Sequence, residues 1–297
     1  MLTTTQLGQY RSEGCIVVPG VLDAPTLRRM KDVLAALVEG SRTVTAHDNV
    51  YDLEPGHTAA QPRVRRIKKP HKVDPVFDDF ARSPALTACL RALLGPAARL
   101  HNSKLNLKEP GFGSPVEWHQ DWAFYPHTND DVLAVGVMLD DTSTENGAML
   151  VIPGSHVGPT YDHHAADGFF CGALDPEVSG IDFSKAVPVE GPAGSCSFHH
   201  VRLVHGSAQN LSDKPRGLLL YEVTAADAFP LLGVSDYADY TSRLLYGQES
   251  IEPRIRPAPV RLPLPPAKNP GSIYENQAAG KRYFGVASGA GSLRSSP

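Results

Sequence analysis

The sequence has little cysteine, no long apolar run and no excess of basic residues, and each absence excludes a class of protein. Its four cysteines include no Cys-x-x-Cys pair, which favours free thiols in a reducing compartment. The longest plain apolar run, residues 132–139, is too short to cross a bilayer, and residues 1–8 lack the features of a secretory signal. A formal net charge of −4 argues against binding to nucleic-acid phosphates. We therefore expect a cytoplasmic protein that binds neither nucleic acid nor membrane.

The spacing of apolar residues changes from a helical to a strand-like pattern along the chain. Apolar residues make up 41% of the 297 positions, enough for a large core. Within residues 1–96, apolar residues recur at helical spacing after Asp-Ala-Pro, Asp-Pro and Ser-Pro starts. From about residue 97, short apolar runs separated by turn residues predict a strand-built sandwich or barrel. Residues 158–185 are a long insert typical of a lid or binding loop, and the Pro/Gly-rich residues 253–297 predict a surface or disordered tail.

The candidate chemistry begins with a His-x-Asp pair in an aromatic-rich stretch, Val116 to Tyr125. In an extended chain, residues i and i+2 point to the same side, so His119 and Asp121 can direct an imidazole nitrogen and a carboxylate oxygen at one point. Two histidines and one carboxylate form the facial site of non-haem iron(II) oxygenases. The pair alone is two thirds of such a site.

A second group of residues, around His205, supplies what the pair lacks. His205 lies between two predicted strands, with Gly206 interpreted as a tight turn and Ser207 beside it. Arg216 follows eleven residues later, and a hairpin of that length would fold it back beside His205. An arginine can grip a carboxylate with two parallel hydrogen bonds, and a serine hydroxyl can add a third donor. These residues together predict binding of iron(II) and a dicarboxylic 2-oxo acid.

The same residues carry a family resemblance. His119-Gln120-Asp121, the run Asn146-Gly-Ala-Met-Leu-Val-Ile-Pro-Gly-Ser-His156 and His205-Gly-Ser-Ala-Gln-Asn210 with Arg216 resemble the phytanoyl-CoA dioxygenase family over roughly residues 99–225. The resemblance implies a mainly β fold with flanking helices, a double-stranded β-helix (a cupin-like jelly roll). Together with the helical part at 1–96 and the Pro/Gly-rich tail at 253–297, it predicts one oxygenase domain over residues 1–252 with a jelly-roll core at about 97–225.

The resemblance also implies roles for individual residues. The iron(II) ligands would be His119, Asp121 and His205, which are also the catalytic residues. The cosubstrate 2-oxoglutarate would contact Arg216, Ser207 and Lys108, and also Lys104. The implied reaction uses O2 to hydroxylate or otherwise oxidise a small-molecule substrate, with release of succinate and CO2.

Three other functions remain open at this stage. A halogenase on the same scaffold needs a small residue where Asp121 stands. A cupin-like metal-binding protein without turnover has no need of Ser207 and Arg216. A zinc hydrolase could use the same three ligands but leaves Arg216 unexplained.

A basic run precedes the predicted strands. Residues 63–72 hold six cations, namely Arg63, Arg65, Arg66, Lys68, Lys69 and Lys72. One interpretation is a solvated face or a set of ion pairs. The other is that the run borders the mouth of the site, with Arg66 helping to hold 2-oxoglutarate and the other cations attracting an anionic substrate.

Overall fold

The computed structural model describes residues 2–111 and 113–286, and antiparallel strands make up most of its regular structure. Within these residues the helices are α1 (Thr4–Glu13), α2 (Ala24–Gly40), α3 (Pro70–Val73), α4 (Pro75–Ala81), α5 (Pro84–Leu94), α6 (Tyr237–Ser242) and α7 (Ile273–Gln277). The strands are β1 (Cys15–Val18), β2 (Tyr51–Leu53), β3 (Val64–Lys68), β4 (Ala98–Lys108), β5 (Val116–His119), β6 (Val132–Met138), β7 (Met149–Val151), β8 (Val187–Val189), β9 (Cys196–His200), β10 (His205–Ser207), β11 (Arg216–Ala225) and β12 (Leu244–Tyr246).

The strands form two sheets that the chain visits alternately. The larger sheet has the order β1-β9-β6-β11-β4-β3-β2, with β12 paired to β4, and the smaller has the order β5-β10-β7-β8. Between β5 and β11 the chain passes repeatedly from one sheet to the other. This is the jelly roll that the family resemblance implies, and the fold class is confirmed.

The N-terminal part combines the predicted helices with three strands. The side chains of Asp23, Asp74 and Ser83 cap α2, α4 and α5, as the sequence predicts. Strands β1, β2 and β3, however, extend the larger sheet at its two edges. Strand β3 lies inside the basic run, where Val64 and Ile67 enter the core. Its pairing with β4 is a tertiary contact that local composition does not encode.

The main core fills the space between the larger sheet and helices α2, α4 and α5. It contains Met30, Phe77 and Leu90 from the helices, packed against side chains such as Phe198 and Tyr221 from the sheet. The other face of this sheet is turned toward the smaller sheet and the site. The four cysteines are buried and form no disulfide. No helix within residues 2–111 and 113–286 is long and apolar enough to cross a membrane.

The segment after residue 252 differs from the expected surface tail. Ser272, Gln277 and Phe284 are buried, and α7 packs against β5. Composition misled here because proline and glycine limit regular structure without preventing side chains between them from packing. The domain boundary at residue 252 stays a prediction, and residues 287–297 of the predicted tail lie outside the described residues.

Candidate active site

Three predicted ligand residues converge on one point between the sheets. His119 ends β5, Asp121 follows it by two residues, and His205 is the cross-strand partner of His119 on β10. One nitrogen or oxygen atom from each lies within 4.8 Å of the other two, and all three residues are buried. The i, i+2 geometry and the antiparallel register therefore bring the side chains together.

The tautomers of His119 and His205 leave Nε2 of each ring free to bind a metal ion. Nδ1 of His119 lies 2.8 Å from the carbonyl oxygen of Glu117, and Nδ1 of His205 lies 2.9 Å from that of Leu203. A carbonyl can only accept, so each Nδ1 carries the proton and each Nε2 offers a lone pair. Burial lowers the pKa of His119 well below its usual value and that of His205 to about 4. Both rings are neutral near pH 7, as metal ligation requires.

The carboxylate is held ionised beside them. Burial alone would raise the pKa of Asp121, but Lys104 and the neighbouring imidazoles lower it well below its usual value. Oδ1 of Asp121 lies 3.7 Å from Nε2 of His119. Two neutral imidazoles and one carboxylate are the donor set that suits iron(II), so the residues present fit that metal.

A third histidine, His199 on β9, is a neighbour of this triad. Of the adjacent pair on β9, His199 faces the site and His200 lies on the other side, against His156. Nε2 of His199 is 3.7 Å from Oδ2 of Asp121. Its imidazole therefore faces the carboxylate oxygen that points away from His119.

One end of the cavity holds the predicted cosubstrate contacts, and we call it the Arg216 end (Lys108, Ser207 and Arg216). Arg216 and Lys108 are register partners on β11 and β4. Nη2 of Arg216 donates to the carbonyl of Gly147 at 2.5 Å, and Nζ of Lys108 donates to the carbonyl of Ala208. Burial lowers the pKa of Arg216 to about 10 and that of Lys108 well below its usual value.

The predicted hairpin between His205 and Arg216 is wrong. Strand β10 belongs to the smaller sheet and β11 to the larger, so the two residues face each other across the cavity. Gly206 is likewise a strand residue and makes no turn. A Cβ there would lie 2.9 Å from the ring of Phe284 and 3.0 Å from the carbonyl oxygen of Val116. Close packing, rather than a bend, requires the glycine.

The opposite side of the triad opens into a second cavity, lined by what we call the Arg66 end (Arg66, His101, Asn102, Lys104 and Tyr125). Nζ of Lys104 lies 2.9 Å from Glu222, and Nε of Arg66 donates to the side chain of Asn106 at 3.0 Å. Arg66 and Lys104 line both cavities, so they border the triad from this side. The basic run therefore contributes one cation, Arg66, to both cavities.

Residues of the 158–185 insert form hydrogen bonds with Gln120, which lies between His119 and Asp121. Nε2 of His163 accepts a hydrogen bond from the backbone N–H of Gln120 at 2.8 Å. The Gln120 side chain in turn donates to the carbonyls of Pro159 and Arg202 and accepts from the N–H of Tyr161. Gln120 separates two ligand residues, so the insert fixes the backbone between them.

Comparisons with known proteins agree with this geometry. The family described as phytanoyl-CoA dioxygenase (PhyH) matches residues 10–218. A protein of Stutzerimonas stutzeri named "Probable alpha-ketoglutarate-dependent hypophosphite dioxygenase" is 38% identical over 92% of this chain and 96% of its own length. L-proline trans-4-hydroxylase of Streptomyces griseoviridis is 28% identical over 75% of this chain and 88% of its own.

Solved structures show the same fold. EctD from S. alaskensis with bound Fe has a TM-score of 0.63 and 24% identity, covering 76% of this chain and 77% of its own. The epimerase SnoN, in complex with Fe3+, alpha ketoglutarate and nogalamycin RO, has a TM-score of 0.62 and 25% identity. That match covers 78% of this chain and 87% of the epimerase.

Proposed function

This chain belongs to the phytanoyl-CoA dioxygenase family and is an iron(II)- and 2-oxoglutarate-dependent dioxygenase; from that premise we propose that its substrate is a small anion, with hypophosphite as the first compound to test. Such a reaction would convert one P–H bond to P–OH, using O2 and 2-oxoglutarate and releasing succinate and CO2. The relative that is 38% identical, named for hypophosphite, supports this choice.

Each group of residues has a proposed role. Iron(II) would be held by His119, Asp121 and His205, and when bound it would activate O2 for oxidation of the substrate. Arg216, Ser207 and Lys108 hold 2-oxoglutarate by its far carboxylate. Orientation and exclusion of water are then what the protein contributes.

The charge of the two cavities carries the proposal. Their cations are Arg66, Lys104 and Arg216, and their carboxylates are Asp121 and Glu222. Asp52, which lies 3.9 Å from Arg66, is matched by Lys68 at 2.8 Å and leaves this sum unchanged. Once iron(II) and the dianion 2-oxoglutarate are added, the sum is one positive charge, even if Lys108 is neutral. A buried net charge is costly, so a bound monoanion would be favoured over a neutral or cationic substrate.

The lining of the second cavity points to a small polar ligand. The cavity is about 240 Å3, and its walls include His101, Asn102 and Tyr125 besides the two cations. The buried hydroxyl of Tyr125 lies near Asp121, and burial and that carboxylate raise its pKa, so it stays protonated and can donate to an oxygen anion. This polar lining is a poor match for a long hydrocarbon chain. Arg66 and Lys104, predicted as cosubstrate contacts, would face the substrate as well.

The first test is succinate release with candidate substrates. We expect hypophosphite, or another small monoanion, to stimulate release above the level without substrate, and neutral compounds such as amides or alcohols not to do so. Stimulation only by neutral or cationic compounds would contradict the proposal.

The second test is Arg66→Gln, whose amide can keep the bond to Asn106 but carries no charge. Losing one charged hydrogen-bond partner should raise the substrate KM by at least about tenfold, with the KM for 2-oxoglutarate changed less. Arg29→Gln removes the same charge from the exposed face of α2 and is the matched control. If Arg66→Gln raised only the 2-oxoglutarate KM, Arg66 would be a cosubstrate contact alone.

A further inference from the structure

Residues 271–286, which we call the C-terminal strap, are fixed to the strand that carries His119. The side chain of Gln277 accepts from the backbone N–H of Glu117 at 2.9 Å and donates to its carbonyl at 3.2 Å. The carboxylate of Glu117 accepts from the N–H groups of Tyr283 and Phe284 at 2.8 and 3.2 Å. Glu117 on β5 is therefore bonded to the middle of the strap, at Gln277, and to its C-terminal part, at Tyr283 and Phe284.

The anchoring point is shared with the metal site. The carbonyl of Glu117 that accepts from Gln277 also accepts Nδ1–H of His119. Phe284 packs beside Trp118 on the same strand, at 5.4 Å between ring centroids. The strap therefore packs against β5 and β10, the strands that carry His119 and His205. On β10, the Phe284 ring occupies the space that Gly206 leaves open.

Tyr274 and its neighbour Ile273 are the strap residues that line the triad cavity, and Tyr274 brings a polar group to it. Its ring lies over the guanidinium groups of Arg65 and Arg66, at 4.2 and 5.3 Å, and the next residue, Glu275, forms an ion pair with Arg65. Its side chain lines the triad cavity together with Ser207 and Arg216. The hydroxyl oxygen is buried and has no hydrogen-bond partner among the described residues. Buried hydroxyl groups are normally paired, and this one is available to donate to a ligand in the cavity.

We propose that the Tyr274 hydroxyl donates a hydrogen bond to the far carboxylate of 2-oxoglutarate, beside Arg216, and that the strap closes the Arg216 end over the cosubstrate. This inference rests on the assignment of Arg216 under Proposed function. The strap residues Ser272, Ile273 and Asn276 line the second cavity, whereas Tyr274 borders only the triad cavity of the two. Burial raises the pKa of Tyr274, so its hydroxyl stays protonated and can donate.

The direct test is Tyr274→Phe, which removes the hydroxyl and keeps the ring. Binding of 2-oxoglutarate to the full chain loaded with iron(II) can be measured by calorimetry without O2, where no turnover occurs. We expect the dissociation constant to rise about tenfold, the loss of one hydrogen bond to a charged group, with iron(II) affinity unchanged. Tyr283→Phe makes the same change in the same strap at a side chain that is 46% exposed, and should bind like the parent.

Arg216 variants separate the possible failures. If Arg216→Ala weakens 2-oxoglutarate binding and Tyr274→Phe does not, the strap inference is overturned while the Arg216 assignment stands. If neither weakens it, the Arg216 assignment itself is wrong. In Tyr274→Phe combined with Arg216→Lys, non-additive losses support contact with one carboxylate. Additive losses would overturn the shared contact.

A second measurement reports on the strap itself. Trypsin can cut after Lys281 and Arg282, two basic residues within the strap. If cosubstrate and strap hold each other in place, 2-oxoglutarate should slow this cleavage in the iron(II)-loaded parent and have a smaller effect in Tyr274→Phe. Equal protection in both would overturn the closing role of Tyr274.

Discussion

The two ends of the cavity hold their cations in different ways. At the Arg216 end, Arg216 lies beside Lys108 on the paired strands β11 and β4, and both side chains donate to backbone carbonyls. At the Arg66 end, Lys104 lies beside Glu222, and Arg66 lies 3.9 Å from Asp52. A carbonyl satisfies a donor without cancelling its charge, whereas a carboxylate does both. This difference suits the proposed roles, in which the Arg216 end binds the dianion 2-oxoglutarate and the Arg66 end binds a monoanion.

The largest effect should come from the triad, which serves both ends. His205→Ala or His119→Ala removes a buried ligand and should abolish stoichiometric iron(II) binding and succinate release, because only one imidazole and one carboxylate would remain to hold the metal. Metal content and turnover measure this. His200→Ala is the control, since His200 lies on the other side of β9. Full activity in His205→Ala with loss in His200→Ala would reverse the ligand assignment.

The next largest effect should distinguish the two ends. Arg216→Ala removes a charged partner from a closed site and should cost on the order of 2–5 kcal/mol of cosubstrate binding. The KM for 2-oxoglutarate would rise by orders of magnitude while iron(II) binding is nearly intact. Arg216→Lys should rescue only in part, because the two-pronged grip is lost. An unchanged 2-oxoglutarate affinity would remove the basis for calling this the cosubstrate end.

The same two ends differ in how much of them the sequence predicts. The triad follows from rules of local geometry, since i and i+2 share a side of an extended chain and Asp121 keeps that relation just beyond β5. Arg216 was found by its chemistry, although its route to the site is a crossing between sheets and not a hairpin. A sequence does not say which sheet a three-residue strand such as β10 will join.

What could not be predicted depends on contacts between distant parts of the chain. Tyr274 lies far along the chain from Ser207 and Arg216, in a segment whose prolines and glycines predict no fixed structure. His199 and His200 are indistinguishable by composition, and the register of β9 against β6 decides which one faces Asp121. Arg66 was singled out from six cations, but only β3 pairing with β4 explains why it is the one that enters the cavity.

Acid should destabilise the fold beside the Arg66 end through His127, which packs against the cavity residue His101. The ring of His101 stacks on Tyr125 and meets that of His127, at 5.0 Å between centroids in both pairs. Burial lowers the pKa of His127 to about 3, while the unfolded chain has a value of about 6.5. Protonation of His127 therefore does not affect the free energy of unfolding above about pH 6.5. As the pH falls toward about 3, that free energy decreases, because the unfolded state binds the proton first.

This effect can be isolated with His127→Asn, whose amide can still donate to the carbonyl of Tyr125. Near pH 5 the parent should take up about one more proton on unfolding than the variant, which is a slope of about 1.4 kcal/mol per pH unit in the free energy of unfolding. Denaturant titrations between pH 4.5 and 6 measure the slope. Equal slopes would mean that His127 is already charged in the folded protein.

The smallest effect should come from the cations of the basic run that lie outside the cavity. Lys68 lies 2.8 Å from Asp52 and Lys72 lies 2.5 Å from Asp239, and Lys69 is exposed. Partly exposed pairs contribute little, and their field is screened over roughly 8 Å at physiological salt. Replacing all three lysines by Gln should therefore change the substrate KM by less than about twofold at low salt, and not at all at high salt. A much larger, salt-dependent rise would show that attraction begins at the surface, and that the Arg66 end extends beyond the residues that line the cavity.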